Sequence, residues 1–185
     1  MTSPAERSPM AGAVPKAVIV MGVSGCGKST LGALLADALD CVFLEGDAFH
    51  AAESVVKMRE GTPLTDADRW PWLDRIAAAA TLSIERCGIA VAACSALRLA
   101  YRDRLRLGIP GRVQFVLLEA DRPLLLSRMS ARPGHFMPPS LLDSQLATLE
   151  RPLAPEGVLT LPAGLPLDAL LDRALAHMDP PALRA

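Results

Sequence analysis

No stretch of this 185-residue chain approaches the ~18 continuous apolar residues a membrane span requires, and its start shows no charged residues leading into an apolar core. An excess of charge of one sign is missing too. Nineteen basic and 20 acidic residues leave a formal net charge of -1, so no overall basic field favours nucleic acid or an anionic membrane. A soluble cytoplasmic protein with a small-molecule partner is expected. The four cysteines, Cys26, Cys41, Cys87 and Cys94, form no C-x-x-C pair and have no neighbouring histidine pattern, so neither a zinc site nor a redox motif is indicated and buried, reduced thiols are expected. Aromatics are only 4% against 51% hydrophobic residues, so the core must come from Ala, Leu and Val. Lysine is scarce, with three among the basic residues, at positions 16, 28 and 57. Arginine's planar fork is a poor substitute for a compact ammonium at a phosphate, which singles out Lys28. Lys57 also stands out, although a solvated helix residue would account for it.

What is present decides more. Gly22-Val23-Ser24-Gly25-Cys26-Gly27-Lys28-Ser29 fills the phosphate-binding pattern G-x-x-x-x-G-K-S/T. Residues 17–21 before it are a β-branched apolar run, and 31–39 after it carry apolar residues at helical spacing. Strand, loop and helix in this order let successive N–H groups point at phosphate oxygens, with the helix adding the positive end of its dipole. Gly22, Val23, Ser24, Gly25, Cys26, Gly27 and Thr30 would cradle the nucleotide, Lys28 would reach the β- and γ-phosphates, and Ser29 would ligate Mg²⁺. A glycine-rich turn without a ligand is the plain alternative.

The length suits a single domain over residues 16–185, and residues 1–15, with three prolines and no periodicity, suggest a disordered leader. Further strands are expected at 41–44, 88–94, 113–118 and 158–161, and helices at 72–86, 97–107, 123–130, 140–150 and 167–177. This alternation predicts a three-layer α/β/α fold around a parallel five-stranded sheet. Ligands bind such sheets beyond the C-terminal strand ends, which draws attention to Asp47, Ser95, Glu119 and Asp121. The chain has neither N-K-x-D nor D-x-x-G, which argues against a switch GTPase, and motor or helicase folds need more chain.

Several stretches together resemble the gluconokinase family. They are 21–30 around the loop, Leu44-Glu45-Gly46-Asp47-Ala48-Phe49-His50, Lys57-Met58, and 61–73 with its Pro-Leu-x-Asp-x-Asp-Arg-x-Pro-Trp-Leu run. Further on come Cys94-Ser95-Ala96-Leu97, Tyr101-Arg102-Asp103, 134–139 with Gly-His-Phe, Gln145 and Thr148-Leu149-Glu150, in family order over about residues 17–157. Glu45 stands where the family usually has Asp and Arg98 where Lys is usual, and the segment after Glu156 fits the pattern poorly. The resemblance implies ATP-dependent phosphorylation of the 6-hydroxyl of D-gluconate, the small-kinase fold shared with shikimate kinase, and a homodimer. A kinase for another acidic metabolite such as shikimate, and a nucleotide sensor without turnover, are the rivals.

Within that resemblance, Asp47 would accept the proton of the gluconate hydroxyl and Glu45 would hold Mg²⁺, unless both cap the next helix. His50 and Lys57 are candidates for the sugar site, and Arg69 suits a carboxylate because its guanidinium can bind bidentately. Asp66 and Asp68 are expected to cap a helix. Among Arg98, Arg102, Arg104 and Arg106, Arg102 is the expected substrate contact and the rest are expected to be solvated. Residues 128–137 look like the mobile lid of related kinases, with Arg128 on the nucleotide, Arg132 on the transition state and His135 on the substrate. Trp70, Trp72 and Phe136 could equally be packing residues.

Overall fold

The computed structural model describes residues 16–131 and 139–178. The expected leader at 1–15 and residues 132–137 of the expected lid lie outside them. Strand β1 (Lys16–Met21) runs into the glycine-rich loop and helix α1 (Lys28–Ala38). Then follow β2 (Phe43–Glu45), a 3-10 turn at Gly46–Phe49, α2 (Ala52–Arg59), α3 (Asp66–Cys87), β3 (Ile89–Ala93) and α4 (Leu99–Gly108). The remaining elements are β4 (Arg112–Glu119), α5 (Arg122–Ser130), α6 (Pro139–Thr148), β5 (Leu159–Pro162) and α7 (Leu167–Met178).

All the strands are parallel in the order β2-β3-β1-β4-β5, with Ile19 of β1 set opposite Ala92 on one side and Phe115 on the other. The five-stranded parallel sheet is therefore as expected. Side-chain alternation along β1 divides the core. Ala17, Ile19 and Met21 pack with Trp72, Leu73 and Ile76 of α3, while Val18 and Val20 pack with Leu31 and Leu35 of α1 and Leu170 of α7. Small Ala and Val side chains on β3 let α1 and α3 approach the sheet from opposite faces, giving the three layers.

Two local differences from the sequence reading bear on the site. Helix α3 begins at Asp66, well before residue 72, because Thr65 and Asp68 form a reciprocal cap: the Asp68 N–H donates to Thr65 Oγ1 at 3.3 Å and the Thr65 N–H to Asp68 Oδ2 at 2.9 Å. Pro71 then falls inside the helix, where its missing N–H costs one early intrahelical bond. Helix α2, which had no expected counterpart, fills the gap between the 3-10 turn and α3.

Candidate active site

The loop after β1 owes its path to left-handed glycines. Gly22 has φ 135°, and a Cβ there would come within 2.7 Å of the Leu118 carbonyl oxygen. Gly25 and Gly27 have φ 82° and 105°. Gly27 caps α1 without a side-chain acceptor, and the first turn holds no acidic residue. The early N–H groups, among them those of Lys28, Ser29 and Thr30, thus face the loop with the positive end of the helix dipole behind them. Lys28 folds across the loop, its Nζ donating to the Val23 carbonyl at 3.1 Å.

The facing wall is built from β2 and α3. Gly46 lies so close to the end of β3 that any Cβ would collide with the Ala93 carbonyl oxygen, and the Gly46 carbonyl accepts from Trp72 Nε1 at 2.7 Å. These contacts hold the 3-10 turn that presents the exposed Asp47. His50 stacks on Trp72, with ring centroids 4.3 Å apart and planes inclined by 10°. Its Nδ1 is buried with no hydrogen-bond partner. Burial pulls its pKa down to about 4, Arg69 and Arg75 acting in the same direction against Asp47, so the imidazole is neutral at pH 7.

One cleft is lined by Ser24, Lys28, Asp47, His50, Arg69 and Gln145, with Ser95 and Ser144 beside them. It brings together the loop lysine, the strand-end acid and one of the expected arginines. Arg69 uses its Nε on the Leu64 carbonyl at 3.3 Å, and its guanidinium carbon lies 5.5 Å from the centroid of the Tyr101 ring. Glu45, at the end of β2, is half-buried and does not line this cleft. On the other side of the loop, Gly25, Gly27, Thr30, Arg128, Ala163 and Leu165 border a cavity of about 330 Å³. There Arg128 donates from Nη1 to the Cys26 carbonyl at 3.1 Å and from Nη2 to the Ala163 carbonyl at 2.8 Å.

Arg102 is a correction. It is 0% exposed and forms a bidentate pair with Glu156, Nε to Oε2 at 2.7 Å and Nη2 to Oε1 at 3.1 Å. Its Nη1 serves the carbonyls of Ala96, Leu97 and Glu150, so it clamps chain segments together and cannot meet a substrate. Its neighbours are not simply solvated either: Arg98 pairs with Asp66, Arg104 with Asp74 and Arg106 with Asp103. Lys57 sits outside the cleft lining, its Nζ 2.7 Å from Asp68 Oδ1. Hydrogen bonds from Lys57 and Thr65 bring the Asp68 pKa down to about 2. Asp68 caps α3 as expected, while Asp66 accepts from Arg98 and the Tyr101 hydroxyl. Arg132 and His135 lie outside the described residues. Gln145 and Ser144 carry no local sequence signal for a site, although the family pattern contains Gln145; their place in the cleft depends on how α6 folds back.

A phosphate loop between a parallel strand and a helix, with an acid and an arginine across one cleft, defines a P-loop kinase of small molecules. The family model described as an AAA domain matches residues 18–152. The chain is 45% identical over 138 residues to the thermosensitive gluconokinase of Escherichia coli (strain K12), covering 75% of this chain and 73% of that protein. It is 42% identical over 172 residues to the gluconokinase of Gluconobacter oxydans (strain 621H), covering 93% and 96%. The crystal structure of a gluconokinase from Sinorhizobium meliloti 1021 matches with a TM-score of 0.79 at 44% identity, over 90% of this chain and 93% of that one. The chain belongs to the gluconokinase family. Shikimate kinase from Aquifex aeolicus vf5, 15% identical with a TM-score of 0.54, shares the fold alone.

Proposed function

We propose that the protein transfers the γ-phosphoryl group of ATP to the 6-hydroxyl of D-gluconate, giving 6-phospho-D-gluconate and ADP. The observation that carries this reading is the single cleft holding Lys28, Asp47 and Arg69. Phosphoryl transfer needs positioning and charge neutralisation more than covalent chemistry. Lys28 meets the charge on the β- and γ-phosphates, Asp47 accepts the hydroxyl proton, and Arg69 grips the gluconate carboxylate, with His50 neutral beside them. The adenine and ribose are assigned to the cavity beside Thr30, Arg128 and Leu165. On the family resemblance, Arg132 is assigned to the transition state and His135 to the substrate.

The residues present fit Mg²⁺. Ser29 on the first turn of α1 and Glu45 at the end of β2 offer hard oxygen donors. Among the described residues no group of three or more His, Cys, Asp or Glu could hold a metal. A sparse set of this kind suits an ion that keeps its waters and shares phosphate oxygens. Bound there, Mg²⁺ would neutralise phosphate charge. A homodimer and a cytoplasmic location, where ATP is available, are proposed on the same resemblance. Among the described residues no helix is long and apolar enough to cross a membrane.

An ATP-consumption assay over gluconate, shikimate, glucose, glycerate and nucleoside monophosphates tests the reading, with gluconate expected to dominate. Lys28→Ala should abolish turnover in a folded protein, and Asp47→Asn should lower kcat by roughly 10²–10⁴ while ATP still binds. Preference for shikimate, or ATP binding without turnover on any acceptor, would overturn it.

A further inference from the structure

We infer that Gln145 is a positioning residue, which fixes the peptide that in turn holds the Lys28 ammonium; this rests on the kinase reading above. The Ser24 N–H donates to Gln145 Oε1 at 2.7 Å across 121 residues of sequence. Because Ser24 N is a donor, the amide must present its oxygen, so the orientation of the side chain is determined.

That N–H and the Val23 carbonyl belong to one planar peptide group. The carbonyl end accepts from Lys28 Nζ at 3.1 Å and from the Cys26 N–H at 3.4 Å. Gln145 therefore holds one end of a rigid plate whose other end anchors the lysine. Without that acceptor the plate can rotate, and the ammonium loses its rest position relative to the incoming phosphates.

Helix α6 is well placed to make this contact. Its C-terminal side is tied down where the Glu150 N–H donates to the Leu97 carbonyl at 2.8 Å and the Leu99 N–H to Glu150 Oε2 at 2.6 Å. Leu142, fully buried, packs the same helix into the core. Ser144 and Gln145 both line the cleft with Asp47 and Arg69, so the helix that closes the acceptor side also sets the donor side.

The test compares Gln145→Met, close in shape but without the amide acceptor, with Leu142→Val, which trims one buried methylene from α6 and leaves the Ser24–Gln145 and Lys28–Val23 hydrogen bonds their partners. Gln145→Met should lower kcat about tenfold and weaken ATP binding several-fold, with the gluconate KM within about twofold of wild type. Leu142→Val should lower the thermal midpoint and leave kcat within about twofold at a temperature where it is folded. The inference is overturned if Gln145→Met keeps both kcat and ATP affinity, or if Leu142→Val loses them equally. If the wild type binds ATP without phosphorylating gluconate, the proposed reaction fails on its own, and the ATP affinity of Gln145→Met still decides the positioning role.

Discussion

Arg102, fully buried, and Glu156, partly buried, form a bidentate pair that joins the start of α4 to the chain leading into β5. The guanidinium has its donors occupied by this carboxylate and three carbonyls, so its work is structural. Arg102→Ala would remove the bidentate partner of Glu156, a buried donor to three carbonyls and a large buried side chain, and should destabilise the fold by about 2–5 kcal/mol, with the Leu153 N–H still on the carboxylate. Urea unfolding checks this, and the gluconate KM of the folded variant should stay near wild type. Burial pushes the Glu156 carboxyl upward, but hydrogen bonds from Arg102 and the Leu153 N–H outweigh it and leave the pKa lowered. The stability it contributes is therefore present above the ordinary carboxylate range and lost as pH falls through its depressed folded value. A KM that rose with stability unchanged would return Arg102 to the substrate.

His50 carries a second pH signature. Its pKa is lowered from 6.5 to about 4 by burial first and by Arg69 and Arg75 after it, with Asp47 opposing. Between those values the unfolded chain binds a proton that the folded one refuses, so stability is full above pH 6.5 and falls steadily toward pH 4. Unfolding midpoints of wild type and His50→Phe at pH 7 and pH 5 test this, and the variant should show the smaller loss. An NMR titration of the imidazole with its midpoint near 6.5 would contradict the burial against Trp72.

Gly46 is the position where backbone packing places Asp47, the proposed proton acceptor. Any Cβ meets the Ala93 carbonyl oxygen, so Gly46→Ala must push the 3-10 turn away from β3 and carry Asp47 with it. The expected cost is about 1–3 kcal/mol of stability. Misplacing Asp47 should also lower kcat by at least tenfold, roughly what a sub-ångström shift of a reacting group costs. Wild-type kcat and thermal midpoint together would show that the turn has room.

The strands and the phosphate loop were legible because they are local: apolar runs, a fixed glycine pattern and a strand-end acid each sit within a few residues. The arginine cluster was not. Helical spacing puts residues on a common face but does not say whether that face meets solvent or core, and the partner that draws Arg102 inward lies 54 residues away. The early start of α3 was hidden by Trp70-Pro71-Trp72, since a proline suggests a boundary unless a cap such as Thr65 with Asp68 has already nucleated the helix. Gln145 acts on a backbone N–H, and no side-chain pattern reports which peptide a distant amide will reach.

Arg69 is the last and sharpest test of substrate choice. It rises from the early turns of α3, is steadied by the Leu64 carbonyl and the Tyr101 ring, and faces the cleft that holds Lys28 and Asp47. In the proposed role its guanidinium grips the gluconate carboxylate, and it would be left short of a partner when glucose binds, although glucose offers the same 6-hydroxyl. Losing a charge-assisted hydrogen bond costs roughly 1.5–3 kcal/mol, about 10- to 150-fold, which is the discrimination expected against glucose. Arg69→Ala should raise the gluconate KM far more than the ATP KM and narrow the gap between gluconate and glucose. Steady-state kinetics on both sugars decide it. With Arg102 buried in its clamp, full retention of the gluconate preference in the variant would move the grip to Arg132 or His135 and leave Arg69 as a helix-packing residue.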